Sequence, residues 1–231
     1  MNTTLSPVAE FDASIPSREV TLQGDLAVPV NATGLVIFAH GSGSSRASVR
    51  NRLVAWEMHR RRLATLLFDL MTPREVEADA AGAFLRFEIP LLTERVVAAT
   101  RWAQGEDPIS RLPLAYFGSS TGAAAALAAA AELPEIEAVV SRGGRTDLAG
   151  DRVRDVKAAT LLIVGELDHA VLRWNQETYG QLTCPRRLAS VKGASHLFTE
   201  PGALEAVAEL AGDWFAEHLS GRPAAYPSLE R

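Results

Sequence analysis

The sequence predicts an α/β fold: a mostly parallel central sheet with helices on both faces and no large cap domain. Two observations carry that reading. Short apolar runs without alternation recur along the chain, and such runs suit strands buried on both faces. Segments of helical spacing lie between them, and strands alternating with helices make a parallel sheet covered on two sides. Right-handed crossovers then gather the loops at the C-terminal ends of the strands on one edge, where ligands bind.

The elements follow in order. Residues 18–23 and 25–29 read as strands, with a tight hairpin or a sharp bend at Gly24 between them. Buried strands follow at 35–39, 64–68, 114–117, 138–140, 160–164 and 187–191. Helical spacing marks 50–62, 90–104, 120–132, 170–181 and 201–218. The long connection 71–87 lacks a strong period and carries Pro73, Glu75, Glu77 and Asp79. It reads as a solvated surface loop, with or without a helical turn, or as a small lid beside the active site. The tail from Gly221, with Pro223 and Pro227, reads as a poorly ordered end or a homo-oligomer contact.

At 231 residues the chain suits one domain, 1–231, with residues 1–16 and 220–231 at its periphery. Hydrophobic residues at 47% and charged residues at 22% are ordinary for a soluble globular protein. A net charge of −5 offers no basic footprint for nucleic acid. No apolar run approaches the roughly 20 residues of a membrane helix. A single cysteine, Cys184, excludes an internal disulfide and a Cys-cluster metal site. With a polar N-terminus lacking a signal pattern, a cytoplasmic setting is expected.

The pentapeptide GSSTG at 118–122 is the most informative motif. It follows an apolar run and opens the alanine-rich stretch 123–131, so it lies on a strand, sharp turn and helix. G-x-S-x-G in that setting lifts the central hydroxyl out of the sheet, which makes Ser120 a candidate nucleophile. A serine needs a base, and in this arrangement the acid and then the histidine follow later in the chain. GELDHAV at 165–171 follows one strand and supplies Asp168; GASHLF at 193–198 follows the next and supplies His196. All three fall on loops at one sheet edge. Glu166 is the competing carboxylate, and Asp168 alone has a second reading as a helix cap. His59 and His218 lie in helical segments and read as structural, while His169 borders the acid loop.

The first long apolar run ends in HGSGSS at 40–45. The loop after that strand supplies one backbone N–H to a developing oxyanion, and the residue after the nucleophile supplies the other. Ser42 and Thr121 are the expected donors, with Gly43 beside them. The spacing fits neither a P-loop nor G-x-G-x-x-G, since Arg46 stands where a third glycine belongs. Arg142, in SRGGR at 141–145, follows its own strand to the same edge. It reads as an anchor for an acidic substrate group or as a structural arginine tied to a carboxylate such as Asp147. Arg46 and Arg50 share that ambiguity, and Asp69 reads as a loop organiser.

On HGSGSS, GSSTG, GELDHAV and GASHLF, the chain resembles the α/β-hydrolase superfamily over nearly its whole length. Within it, the cap-less layout is similar to the dienelactone hydrolase family. Members of that family proper use a cysteine nucleophile, and this chain has Ser120 at that position. The resemblance implies an enzyme without metal or cofactor that cleaves small to medium carboxylic esters through an acyl-Ser120 intermediate. It leaves open lactones, thioesters, a dienelactone-type preference for anionic substrates, and a non-catalytic binding protein on the same scaffold.

Overall fold

The computed structural model describes residues 7–219. Eight strands form one sheet in the order β1-β2-β4-β3-β5-β6-β7-β8. They are β1 (Val8–Ser17), β2 (Val20–Pro29), β3 (Gly34–Ala39), β4 (Leu63–Phe68), β5 (Leu114–Ser119), β6 (Ile136–Arg142), β7 (Ala159–Gly165) and β8 (Arg186–Val191). From β4 through β8 every pairing is parallel; β2 runs antiparallel to both β1 and β4. Every residue of β3, β4, β5 and β7 is buried, which is why these strands read as unbroken apolar runs.

Six α-helices lie among the described residues, α1 (Val49–Arg60), α2 (Pro73–Ala78), α3 (Ile89–Gly105), α4 (Thr121–Glu132), α5 (His169–Gln181) and α6 (Ala203–His218), and all but α2 pack on the sheet. On one face, α3 and α4 pack apolar side chains such as Val96, Ala99 and Leu127 against Leu35, Ile37 and Tyr116 of the sheet. On the other, Val54 and Met58 of α1 and Val207 and Phe215 of α6 meet Val36, Phe38 and Phe117. Alternate residues of the inner parallel strands, such as β3 and β5, therefore feed two separate cores. The alanine run of α4 is buried from Thr121 to Ala130, so small side chains let that helix lie close to the strands.

One expectation needs correction. There is no hairpin at Gly24. The chain turns at Arg18 and Glu19, and Gly24 lies inside β2, paired with Ala13 and Phe68. A Cβ there would sit 3.1 Å from the Phe68 Cβ and 3.2 Å from the Ala13 Cβ, so crowding between strands, not a bend, explains the glycine. Of residues 1–16, expected at the periphery, 8–16 belong to edge strand β1. Segment 71–87 is mostly exposed, as the surface-loop reading expects, and carries several short helical turns. Thr72 and Glu75 close a reciprocal capping box at the start of α2, with Pro73 in its first turn. A π turn (Asp79–Ala83) and a 3-10 turn (Leu85–Phe87) follow, clasped by an ion pair of 2.6 Å between Arg86 and Asp79. A further irregular helical stretch, Thr146–Asp155, carries no sequence expectation and kinks at Gly150. The tail from Gly221 lies outside the described residues. Among the described residues no helix is long and apolar enough to cross a membrane.

Candidate active site

Ser120 stands between β5 and α4 with φ 50° and ψ −121°, a backbone conformation that costs a non-glycine residue about 1–3 kcal/mol. Three hydrogen bonds hold it there. Its N–H donates to the Arg142 carbonyl at 3.2 Å, and its own carbonyl accepts from Ala123 at 3.1 Å and Arg145 at 3.0 Å. Gly122 is required by close approach: a Cβ would fall on the carbonyl oxygens of Ala39 and His40. The neighbouring Ser119 is buried and its hydroxyl donates to Asn51 Oδ1 at 3.3 Å. It is committed to α1 and unavailable as a nucleophile.

Asp168 and His196 come together from the loops after β7 and β8. His196 Nδ1 lies 2.6 Å from Asp168 Oδ2. Asp168 occupies the N-cap position of α5, yet its side chain makes no capping bond, because it is spent on His196. The rival carboxylate, Glu166, accepts instead from the Gly193 N–H at 2.8 Å, bracing the loop that carries the histidine. His169 is exposed at the start of α5, and His59 pairs with Thr65 at 2.8 Å in the groove between α1 and β2.

Among the described residues the Ser120 hydroxyl itself makes no hydrogen bond. Residues 142 and 143 touch the backbone of Ser120 and the ring of His196 in turn. The Arg142 carbonyl receives the Ser120 N–H, and the next residue, Gly143 (φ 52°), faces the His196 ring. A Cβ on Gly143 would sit 3.5 Å from both Nδ1 and Cε1 of that ring. Nothing in the sequence pattern points to this packing role, since its signal is purely three-dimensional.

The two residues expected to donate to an oxyanion touch through their side chains. Ser42 Oγ is 3.0 Å from Thr121 Oγ1, which ties the loop after β3 to the start of α4. Thr121 is the first residue of that helix, so its N–H has no carbonyl to serve within it. Gly43 (φ 67°) follows on the exposed rim. Sequence reasoning assigned no role to His40, although its place directly before Gly41 is the available signal. It accepts the Leu70 N–H on Nε2 at 3.0 Å, so the proton resides on Nδ1 and is donated to the Gly41 carbonyl at 3.0 Å. Burial pushes its pKa down; the Gly41 bond and nearby Asp69 oppose this more weakly. A neutral imidazole thus fixes the loop. Arg46 is likewise structural, held by Asp69 at 2.6 Å and Asp25 at 3.1 Å, which bears out Asp69 as a loop organiser.

Arg142 is different. Only 8% of it is exposed, and it is not tied to Asp147, which pairs instead with Arg145 at 2.8 Å. Burial, with Arg50 nearby, pulls its pKa down to about 10. A cavity of about 600 Å³ opens beside the oxyanion loop, walled by Gly43, Ser48 and Arg50 on one side and Val76, Asp79 and Arg86 on the other. Segment 71–87 therefore stands next to the site. A groove of about 460 Å³ between β1, β2 and α1 holds none of the candidate residues. Among the described residues no group of three or more His, Cys, Asp or Glu side chains is placed to hold a metal ion.

No protein-family model matches the chain. It is similar over 91% of its length, at 51% identity and a TM-score of 0.89, to a dienelactone hydrolase of Anabaena variabilis, 98% of which is covered. The esterase Est1E of Butyrivibrio proteoclasticus superposes at a TM-score of 0.73 with 16% identity, over 90% of this chain and 98% of that one, a likeness of fold alone. Two Mycobacterium tuberculosis proteins are 49% identical over 216 residues, and each carries the provisional name phosphoribosyl transferase. That match takes in 93% of this chain and 48% of theirs, so the chain spans about half the length of the curated relatives it matches.

Proposed function

The chain belongs to the dienelactone hydrolase family of α/β hydrolases, and we propose that it is a serine hydrolase cleaving small to medium carboxylic esters. The observation that supports this best is the 2.6 Å contact of His196 with Asp168, facing the loop that braces the strained Ser120. In the proposed reaction Ser120 Oγ attacks the carbonyl carbon of the ester. His196 takes the hydroxyl proton on Nε2, while Asp168 holds the ring through Nδ1 and stabilises its charged form. The negative charge that develops on the carbonyl oxygen is met by the N–H groups of Ser42 and Thr121 at the positive end of α4. Collapse of the tetrahedral intermediate breaks the carbon–oxygen bond to the alcohol, which leaves with the proton from His196. Water then attacks the acyl-Ser120, giving its proton to His196, and the carboxylic acid departs as the serine regains its hydrogen. The Ser120–His196 hydrogen bond that this sequence needs forms when substrate orders the pair.

A second reading, a hydrolase selective for anionic lactones or esters, is favoured by the unpaired Arg142. The transferase name attaches to relatives about twice as long, of which this chain matches 48%. A fluorophosphonate probe tests the main reading. Wild-type protein is expected to be labelled and to hydrolyse a simple aryl ester, and Ser120→Ala to do neither. Labelling that survives in Ser120→Ala, or a wild-type protein inert to both reagents, rejects it in favour of another nucleophile or a binding role.

A further inference from the structure

Two arginines are buried among the described residues, and they are treated very differently. Arg95 reaches the Ser17 carbonyl and the Glu75 carboxylate. The Arg142 guanidinium reaches nothing: it makes no hydrogen bond or ion pair among the described residues, and its Nε and Nη1 are sealed from solvent. A buried, uncompensated guanidinium is expensive in a structural role. Its surroundings add to the excess. In the sheet, Arg142 is the register partner of Ser119, whose hydroxyl holds Asn51 in the first turn of α1. That places Arg142 beneath the start of α1, a helix of 12 residues. Arg50 extends from the same turn, half-buried, with its Nε also unpartnered and with no carboxylate paired to it. It lines the 600 Å³ cavity together with Ser44, Ser45 and Ser48, while the other basic group there, Arg86, is neutralised by Asp79.

We infer that this corner binds a dianionic phosphate group carried on the ester substrate, with Arg142 and Arg50 as its two cations. Two uncompensated guanidiniums match a double negative charge; a carboxylate would leave one of them unpaired. Serine hydroxyls and the free N–H groups that open α1 supply further donors of the kind phosphate takes at helix starts. The phosphate is a handle only, and the bond that breaks is the carboxylic ester at Ser120. The inference rests on the serine hydrolase reading for its catalytic arm, but the binding arm stands without it.

Binding is tested first with inorganic phosphate and the Ser120→Ala protein in a calorimeter. Saturable binding that is lost in Arg142→Met and in Arg50→Met supports the site; no heat, or binding indifferent to both changes, overturns it. Catalysis is tested with three matched substrates: the acetyl esters of glycerol 3-phosphate, glycerate and glycerol. One charge-assisted contact is worth about tenfold or more, so kcat/KM is expected to favour the phosphorylated ester over the neutral one by about tenfold to a hundredfold. The glycerate ester should fall between them. Arg142→Met should collapse the ratio of phosphorylated to neutral rates, and Arg142→Lys should restore it in part. Equal rates on all three esters, a preference for glycerate, or an unchanged ratio in Arg142→Met each overturn the phosphate assignment. If Arg142→Met loses its native circular dichroism, Arg50→Met at the half-exposed position decides alone. A protein that binds phosphate yet leaves all three esters intact refutes the hydrolase reading and keeps the site.

Discussion

Replacing Asp168 by Asn separates the two carboxylates of the loop after β7 by function. The carboxylate lies 2.6 Å from His196 Nδ1, with 14% of its side chain exposed against 40% for the histidine. In the transition state the ring carries a full charge. At a separation of about 4 Å between charge centres, and an effective dielectric of about 20 for a partly exposed pair, the attraction is about 4 kcal/mol. Losing it should lower kcat/KM about a thousandfold. An added penalty arises if the amide holds the ring in the wrong tautomer, which takes the loss towards about ten-thousandfold. Glu166→Gln removes a charge two residues away whose partner is only the Gly193 N–H. Its loss should stay within about tenfold, the worth of one neutral-for-charged hydrogen bond. The assay is steady-state hydrolysis of an aryl ester by the wild type and the two variants. Asp168→Asn retaining a tenth of wild-type activity, or Glu166→Gln falling as far as Asp168→Asn, would refute the assignment of the acid.

Three further outcomes are expected. Gly122→Ala pushes a methyl group into the carbonyls that end β3, so it should abolish fluorophosphonate labelling or the fold itself; a fully active variant would contradict the close approach. Because burial lowers the pKa of His40, the unfolded chain takes up its proton first, near the ordinary value of about 6.5. The stability this neutral ring contributes is complete above that pH and is lost as pH falls below it towards the folded value. Urea midpoints of the wild type should therefore drop between pH 7 and 5 more steeply than those of His40→Gln, and parallel curves would count against it. Tyr116→Phe deletes a buried hydroxyl 2.6 Å from the Thr100 hydroxyl, which itself donates to the Val96 carbonyl. It should lower stability by about 1 kcal/mol in chemical denaturation; no change would mean that the bond is offset.

The parallel half of the fold was legible because its strands are buried on both faces. Residues 35–39, 64–68 and 160–164 had only one plausible state, and the helices between them lie within two residues of expectation. The antiparallel half was not. Residues 8–17 form an edge strand with mostly exposed side chains, so they carry no apolar run. Gly24 resembled a turn because the crowding that requires it comes from Ala13 and Phe68, distant in sequence. Segment 71–87 hid its helix for another reason: α2 is six residues long and buries none of them, leaving no periodic stripe. Its capping pair, Thr72 and Glu75, was the readable clue. At the candidate site the side-chain identities were visible from motifs at strand ends. The scaffolding around them was not, since Gly143 against His196 and His40 between Gly41 and Leu70 are contacts made only by folding.

The main chain of Ser120 is clamped by Arg142, Ala123 and Arg145, which belong to two different segments. If Ser120 is the nucleophile proposed above, its point of attachment has little positional freedom of its own. Selectivity would then be decided by which molecules can bring their carbonyl to that fixed point. Changes that retune preference should accumulate in the rims facing the clamp, around Gly43, Arg50 and Val76, and leave its three anchors alone.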